Sequence, residues 1–156
     1  HCRSAPRAPH KPMQDSLPFF ALDEIQRVAV AGAGVMGHGI ALVAAQAGYG
    51  VVLYDPHPAA LESGRAAIAR LTARQQEKGT LSAEAREALL GRISYTHTHE
   101  EVSFDLLIEA IPENLAWKHA LFAALEPAAS PRAIFATNTS SLSVARIAAG
   151  LKAPAR

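Results

Sequence analysis

Short apolar runs alternate along the chain with longer stretches in which apolar residues recur every three or four positions. The short runs have the length and composition of strands buried in a parallel sheet, and they cover residues 27–31, 51–54, 106–108 and 133–136. The longer stretches predict helices over residues 35–47, 58–78, 114–126 and 143–149, with one more helix that Ser82 begins. Strands alternating with helices predict an α/β fold, a doubly wound parallel sheet with a helical hairpin inserted after the second strand.

The N-terminal 24 residues stand apart from this pattern. The first twelve are rich in proline and basic side chains and show no apolar periodicity, so they bury too little to offset the entropy of ordering. The sequence therefore predicts a disordered or extraneous extension over residues 1–24, with Met13 as a candidate natural start. A folded domain is expected over residues 25–156.

Charge, cysteine content and the length of the apolar runs argue against several kinds of partner. The formal net charge is +1, from 15 basic and 14 acidic side chains, which gives no field strong enough to gather nucleic acid or an anionic membrane. Cys2 is the only cysteine, so the chain cannot build an internal disulfide or a cysteine-based metal site, and a reducing, cytoplasmic compartment fits. No apolar run reaches the roughly 18 residues of a membrane span. We expect no metal, nucleic-acid or membrane partner.

A glycine-rich segment follows the first predicted strand and opens the first predicted helix. It fits the pattern G-x-G-x-x-G and consists of Gly32, Ala33, Gly34, Val35, Met36 and Gly37. Asp55 ends the next strand 23 positions after Gly32, as expected for a dinucleotide site whose acidic residue binds a ribose. A carboxylate there disfavours a 2′-phosphate, so the pattern predicts NAD rather than NADP. The alternative is that the glycines only turn the chain and Asp55 only caps it.

Polar side chains follow two further predicted strands. Glu109, Glu113 and Lys118 come after residues 106–108, and the hydroxyl-rich stretch 137–141 comes after residues 133–136. The carboxyl ends of parallel strands meet at the ligand edge of the sheet, so both groups are expected there. The spacing leaves two interpretations of the first group open, contacts to a nicotinamide ribose or a helix-start carboxylate with a solvated lysine. The hydroxyl-rich turn is either a substrate site or a cap for the last helix.

Three segments carry a resemblance to a known family. Residues 32–41 (GAGVMGHGIA), 108–115 (IEAIPENL) and 137–143 (TNTSSLS) resemble, in this order, signatures of the NAD-binding domain of the 3-hydroxyacyl-CoA dehydrogenases. The resemblance covers the chain from about residue 27 onward and leans toward the bacterial hydroxybutyryl-CoA and hydroxyadipyl-CoA enzymes. It implies a Rossmann-type fold, NAD as cofactor, and reversible oxidation of an L-3-hydroxyacyl-CoA substrate.

The resemblance also implies roles for particular residues. Asp55 would bind the adenosine ribose, and Glu113, Lys118 and Ser140 would contact the cofactor. Ser140 would also act in catalysis by hydrogen-bonding the 3-oxygen of the substrate near the nicotinamide. The hairpin insertion is similar to the segment that touches coenzyme A, so a basic stripe four residues apart could meet its phosphates, although a plain solvated face explains it as well. The stripe consists of Arg70, Arg74 and Lys78.

One departure concerns the catalytic base. The resemblance implies a histidine in a Gly-x-His-Phe-Phe-Asn-Pro motif, a glutamate that orients it, and a helical C-terminal domain that forms a homodimer; all of these would lie beyond Arg156, since residues 1–156 contain none of them. His97, His99 and His119 lie outside the motif and are expected to be surface or packing residues. We expect the chain to bind NAD without turnover. The alternatives are an NAD-dependent dehydrogenase of a free hydroxy or sugar acid and a non-catalytic dinucleotide-binding protein.

Overall fold

A computed structural model describes residues 22–152 of the chain. The strands are β1 (Arg27–Ala31), β2 (Gly50–Tyr54), β3 (Ile93–Thr96), β4 (Leu106–Glu109) and β5 (Ile134–Thr137). The α-helices are α1 (Val35–Gln46), α2 (Pro58–Glu77), α3 (Ala83–Gly91), α4 (Leu115–Leu125) and α5 (Val144–Ala148). Short 3₁₀ helices form at Leu22–Glu24, His99–Glu101 and Glu126–Ala128.

The strands form one parallel sheet in the order β3-β2-β1-β4-β5. The strand order reverses between β1 and β4, because the chain runs outward from β1 to β3 and then returns to the other side of β1. At the carboxyl ends of these strands Ala31 pairs with Tyr54 on one side and with Glu109 on the other, and Glu109 pairs with Thr137. A crevice at such a reversal is where open α/β sheets bind ligands.

The two faces of the sheet are covered by different helices. Alternate residues of β1 point to opposite faces, so Val28 and Val30 pack against α1, α2 and α3, whereas Ala29 and Ala31 face α4 and α5. On the second face the ring of Phe135 lies edge-on to Phe104 and to Phe122, with centroids 5.5 and 5.8 Å apart. The predicted α/β doubly wound sheet with helices on both faces and a helical hairpin (α2 and α3) after β2 is therefore confirmed.

Most predicted element boundaries hold within one or two residues. Ser82 caps α3 by accepting a hydrogen bond from the backbone N–H of Ala85 at 3.1 Å, as its position predicted. The strand β3 is not located by the hydrophobic pattern, because the polar Ser94 and Thr96 alternate with Ile93 and Tyr95 and leave no continuous apolar run. Its Tyr95 side chain lies beneath the guanidinium of Arg65, 4.5 Å from the ring centre.

The predicted N-terminal extension falls largely outside the described residues. Its last three residues, Leu22–Glu24, form a 3₁₀ helix, and Glu24 accepts two hydrogen bonds from the guanidinium of Arg132. Cys2 and Met13 lie outside the described part. Between residues 22 and 152, no helix is both long and apolar enough to cross a membrane.

The C-terminal boundary of the predicted domain also lies outside the described residues. The last described residue is Lys152, whereas the sequence predicts a domain that continues to Arg156. The expectation that the catalytic histidine and its glutamate partner lie beyond Arg156 is therefore not tested by the fold and stays a prediction.

Candidate functional site

The loop between β1 and α1 is a tight turn built on glycine. Gly32 has a φ of 105°, and its N–H donates to the carbonyl oxygen of Tyr54 at 2.8 Å, which ties the loop to the end of β2. A Cβ atom on Gly32 would stand 2.7 Å from the carbonyl oxygen of Ala110. The loop thus requires glycine here because of both its backbone angle and the close approach of the β4–α4 turn.

The next two glycines of the motif differ in their surroundings. A Cβ atom on Gly37 would overlap the carbonyl oxygen of Gly32, so α1 packs directly on the loop. Nothing lies within 4 Å of the corresponding position on Gly34, which is exposed and caps α1 without a side chain to accept hydrogen bonds. The N–H groups of the first turn of α1 have no intrahelical partner and lie at the positive end of the helix dipole. This open cradle fits a diphosphate group.

Asp55 fixes the side of the cradle that lies next to β2. Its Oδ2 atom accepts a hydrogen bond from the backbone N–H of Ala33 at 2.9 Å, and its Oδ1 atom accepts one from the N–H of His57 at 3.0 Å. The Nδ1 atom of His57 lies 3.2 Å from Oδ1, and the Asp55 side chain is 13% exposed. Asp55 therefore holds the glycine loop against the β2–α2 turn, and its Oδ2 atom keeps a lone pair for a ligand hydroxyl. Capping the turn and contacting a ribose are thus compatible.

The surroundings of the neighbouring Tyr54 side chain change its pKa. Burial raises the pKa of its phenol, and the negative charges of Asp55 and Glu100 raise that pKa further. The phenol therefore remains neutral at physiological pH and adds no negative charge at this end of the site.

Glu109 and Lys118 form a buried ion pair at the end of β4. The Nζ atom of Lys118 lies 2.7 Å from both carboxylate oxygens of Glu109, and the two side chains are 0% and 1% exposed, respectively, for Glu109 and Lys118. Nζ also donates to the carbonyl oxygen of Ile111 at 3.3 Å. The interpretation of Lys118 as a solvated lysine is therefore wrong. The predicted contact between Lys118 and a cofactor stays a prediction, since its three N–H groups have partners inside the protein.

Glu113, which follows β4, contacts the hydroxyl-rich turn that follows β5. The hydroxyl of Thr139 donates to Oε2 of Glu113 at 2.8 Å, and the N–H of Ser140 donates to Oε1 at 3.4 Å. Thr139 Oγ1 also accepts from the N–H of Leu142 at 3.0 Å, whereas Ser143 caps α5 without a side-chain hydrogen bond. The turn is thus fixed by its own hydroxyls and by Glu113. The side chain of Ser140 is left exposed at the sheet edge.

The predicted coenzyme A residues lie on the outer half of α2. Arg70, Arg74 and Lys78 are exposed, and no side-chain hydrogen bond or ion pair ties them to other residues between 22 and 152. A solvated face and an anion-binding stripe both agree with this placement, so the contact stays a prediction. The histidines occupy other places: His97 is exposed, His99 pairs with Glu100, and His119 contacts the carbonyl oxygen of Arg146 at 2.7 Å.

One residue of the site was not singled out from the sequence. Gly64 lies in the middle of α2, and a Cβ atom on it would stand 2.9 Å from the carbonyl oxygen of Ala33 in the glycine loop. Glycine weakens a helix interior, so its presence there signals a close backbone approach. That signal could have located the packing of α2 against the loop.

Comparison with known proteins gives a family match. Residues 27–156 match the family model described as "3-hydroxyacyl-CoA dehydrogenase, NAD binding domain". The chain is 43% identical over 134 residues to the probable 3-hydroxybutyryl-CoA dehydrogenase of Bacillus subtilis, covering 85% of this chain and 47% of the relative. It is 46% identical over 134 residues to the 3-hydroxyadipyl-CoA dehydrogenase of Escherichia coli, covering 85% of this chain and 28% of the relative.

Solved structures give the same result. The crystal structure of (S)-3-hydroxybutyryl-CoA dehydrogenase from Ralstonia eutropha superimposes with a TM-score of 0.80 at 32% identity, over 84% of this chain and 47% of that one. The chain thus spans about half the length, or less, of the relatives it matches. The activity of a complete protein is therefore a separate question from the fold of this part.

Proposed function

Because the chain belongs to the 3-hydroxyacyl-CoA dehydrogenase family, whose NAD binding domain it matches over residues 27–156, we propose that it binds NAD across the carboxyl edge of its sheet. The diphosphate rests on the loop at Gly34 and on the first N–H groups of α1. The adenosine ribose lies against Asp55, on the β2 side of the reversal between β1 and β4. The nicotinamide then extends to the β4 and β5 side, toward Ser140.

The observation that carries this proposal is the open cradle at Gly34 beside a carboxylate. Gly32 and Gly37 are held by backbone contacts, whereas a Cβ atom placed on Gly34 would meet no atom within 4 Å apart from its own neighbours along the chain. Asp55 accepts hydrogen bonds from ribose hydroxyls but repels a 2′-phosphate. The same contacts therefore favour NAD over NADP.

We further propose that the complete protein oxidises an L-3-hydroxyacyl-CoA to the 3-oxoacyl-CoA. NAD held by the glycine loop and Asp55 would supply the acceptor for the hydride that leaves C3 of the substrate. The exposed hydroxyl of Ser140 donates a hydrogen bond to the 3-oxygen, and Glu113 fixes the backbone that presents this hydroxyl. The proton acceptor implied by the resemblance is a histidine in a motif that residues 1–156 do not contain, so this chain supplies the cofactor site and one oxygen contact.

Other properties of the complete protein follow from the same resemblance. We propose an acyl-CoA substrate whose phosphates meet the basic stripe of α2, homodimerisation through a helical C-terminal domain, and a cytoplasmic location. The exposure of Arg70, Arg74 and Lys78 supports the first of these, because their charges are accessible to an anion.

A test of the reaction uses the full-length protein with four candidate substrates. We expect NADH to form with (S)-3-hydroxybutyryl-CoA, and not with its R enantiomer or with free (S)- or (R)-3-hydroxybutyrate, because the thioester carries the coenzyme A contacts. The measurement is the rate of NADH absorbance increase. Turnover of the free acid at the rate of the thioester would favour a hydroxy-acid dehydrogenase instead, and no turnover of any substrate would refute the proposed reaction.

A further inference from the structure

The buried carboxylate of Glu109 accepts a full set of hydrogen bonds. Two come from Lys118, one comes from the backbone N–H of Ile111 at 2.7 Å, and one comes from the hydroxyl of Thr137 at 2.5 Å. Four acceptor positions are what an ionised carboxylate offers, and Lys118 likewise uses its three donors. The cluster of Glu109, Lys118, Ile111 and Thr137 is therefore closed, and Glu109 has no position left for a ligand.

Stability alone is a weak reason for such a cluster. Removing two charges from water costs several kcal/mol per ion, and well-packed apolar residues often stabilise a core as well as a buried ion pair does. The pair stands, however, at the ligand edge of the sheet, where Glu109 is in register with Ala31 of β1 and Thr137 of β5. The position of the ion pair at this edge indicates that it fixes the positions of neighbouring residues of the site.

Thr137 connects Glu109 to the turn that carries Ser140. Its hydroxyl donates to Glu109, and the same oxygen accepts from the N–H of Thr139 at 3.3 Å. The backbone N–H of Asn138 donates to the carbonyl oxygen of Glu109 at 2.8 Å. The start of the turn is thus fixed to Glu109 by side chain and backbone, independently of the Glu113 contacts farther along.

The strand order places this cluster at one end of the dinucleotide. Asp55 follows β2, on one side of β1, whereas Glu109 and Thr137 end β4 and β5, on the other side. With the adenosine ribose at Asp55, the nicotinamide lies on the side of Glu109. This step rests on the proposed function, because it takes NAD as the ligand that spans the edge.

We propose that Glu109 is a positioning residue for the nicotinamide end of the site. It touches neither NAD nor substrate, and it acts by holding the Ser140 turn through Thr137 and the start of α4 through Lys118. Its loss therefore weakens contacts to the nicotinamide half of NAD and leaves the adenosine half, which Asp55 and Gly34 hold, unchanged.

The test compares NAD with ADP-ribose, which has the same adenosine, diphosphate and second ribose but no nicotinamide. Thr137→Val removes the hydroxyl link with little change of volume, and calorimetry gives the Kd of each ligand for the 156-residue chain. We expect the Kd for NAD to rise by about 5- to 10-fold and the Kd for ADP-ribose to change less than about twofold. Thr80→Val, which removes a hydroxyl bonded to the carbonyl of Gln75 far from the edge, should change neither.

A second variant addresses Glu109 itself. Glu109→Ala would leave the charge of Lys118 buried without a partner, so the double variant Glu109→Gln with Lys118→Met is used, which removes both charges. It should reproduce the loss that is selective for NAD. If these variants weaken the binding of both ligands equally, or change neither Kd, the inference about Glu109 is overturned. The proposal that the chain binds NAD would still stand. Failure of the unmodified chain to bind either ligand would refute the proposed function and this inference with it.

Discussion

Gly37→Ala is expected to lower the free energy of unfolding by about 3 kcal/mol or more, because the new methyl group has no space. The added Cβ would overlap the carbonyl oxygen of Gly32, which is backbone and cannot rotate aside as a long side chain would. Relief requires α1 to move away from the loop. That movement displaces the N–H groups that form the diphosphate cradle, so NAD affinity should fall together with stability.

Gly39 provides a matched control in the same helix. A Cβ atom on Gly39 would have no neighbour within 4 Å, so Gly39→Ala should raise stability by about 0.5–1 kcal/mol, as alanine does in a helix interior. Urea unfolding of the unmodified chain, Gly37→Ala and Gly39→Ala measures the differences in the free energy of unfolding. Equal unfolding free energies for the Gly37 and Gly39 variants would show that the close packing of α1 on the loop is not as described.

Lys118→Met is expected to cost about 3–5 kcal/mol of unfolding free energy, since it leaves a buried carboxylate without its counter-charge. Glu109 is 0% exposed, and water cannot replace the ammonium group without opening the β4–α4 turn. The apolar methionine fills much of the volume of lysine, so the loss comes from the charge and its hydrogen bonds rather than from a cavity.

Two comparisons isolate the charge effect. Lys78→Met removes an exposed lysine at the end of α2 and should change stability by less than about 0.5 kcal/mol. Adding Glu109→Gln to Lys118→Met should recover part of the loss, because the second substitution removes the unpaired charge. Chemical unfolding measures all four proteins. A double variant that is less stable than Lys118→Met alone would contradict a favourable coupling between the two charges.

Much of the fold could be predicted because several local signals agree. Residues close in sequence are enough to specify three features: the β1 strand, the glycine turn that follows it, and the cap at Ser82. The strand β3 was missed because polar and apolar residues alternate over Ile93–Thr96, so it lacks the continuous apolar run that marks β1, β2 and β4. Its position is determined by pairing with β2, which is distant in sequence, and the local hydrophobic pattern carries no information about that pairing.

The sequence indicated which residues lie at the candidate site, but it did not indicate which side chains contact one another there. The motifs placed Asp55, Glu109, Glu113 and Ser140 at one edge of the sheet. The register agrees, because β2, β4 and β5, which these residues end or follow, finish side by side. The spacing did not distinguish a buried from a solvated Lys118, because Lys118 is four residues beyond the cap of α4 and either side of the helix was open to it. Only the packing of α4 on the sheet decides which way the side chain points.

The two roles of Asp55, the proposed ribose contact and the hydrogen bond to the glycine loop, also depend on the tertiary structure. Its position after β2 indicates a ribose contact, but its bond to the N–H of Ala33 joins residues 22 apart and depends on the folded loop. A substitution at this position is therefore expected to affect the cradle as well as the proposed ribose contact. Asp55→Asn is preferable to Asp55→Ala, because it keeps one oxygen acceptor and nearly the same volume.

Calorimetric titration of the chain with NAD and with NADP tests the central claim most directly. We predict one NAD per chain, an affinity for NADP at least about tenfold weaker, and a smaller difference between the two in Asp55→Asn, since the repulsion of the 2′-phosphate is then removed. Asp23→Asn, at an exposed carboxylate outside the site, should leave both affinities unchanged. Absence of binding heat with NAD for the folded chain, or equal affinities for NAD and NADP that Asp55→Asn does not alter, would contradict the account.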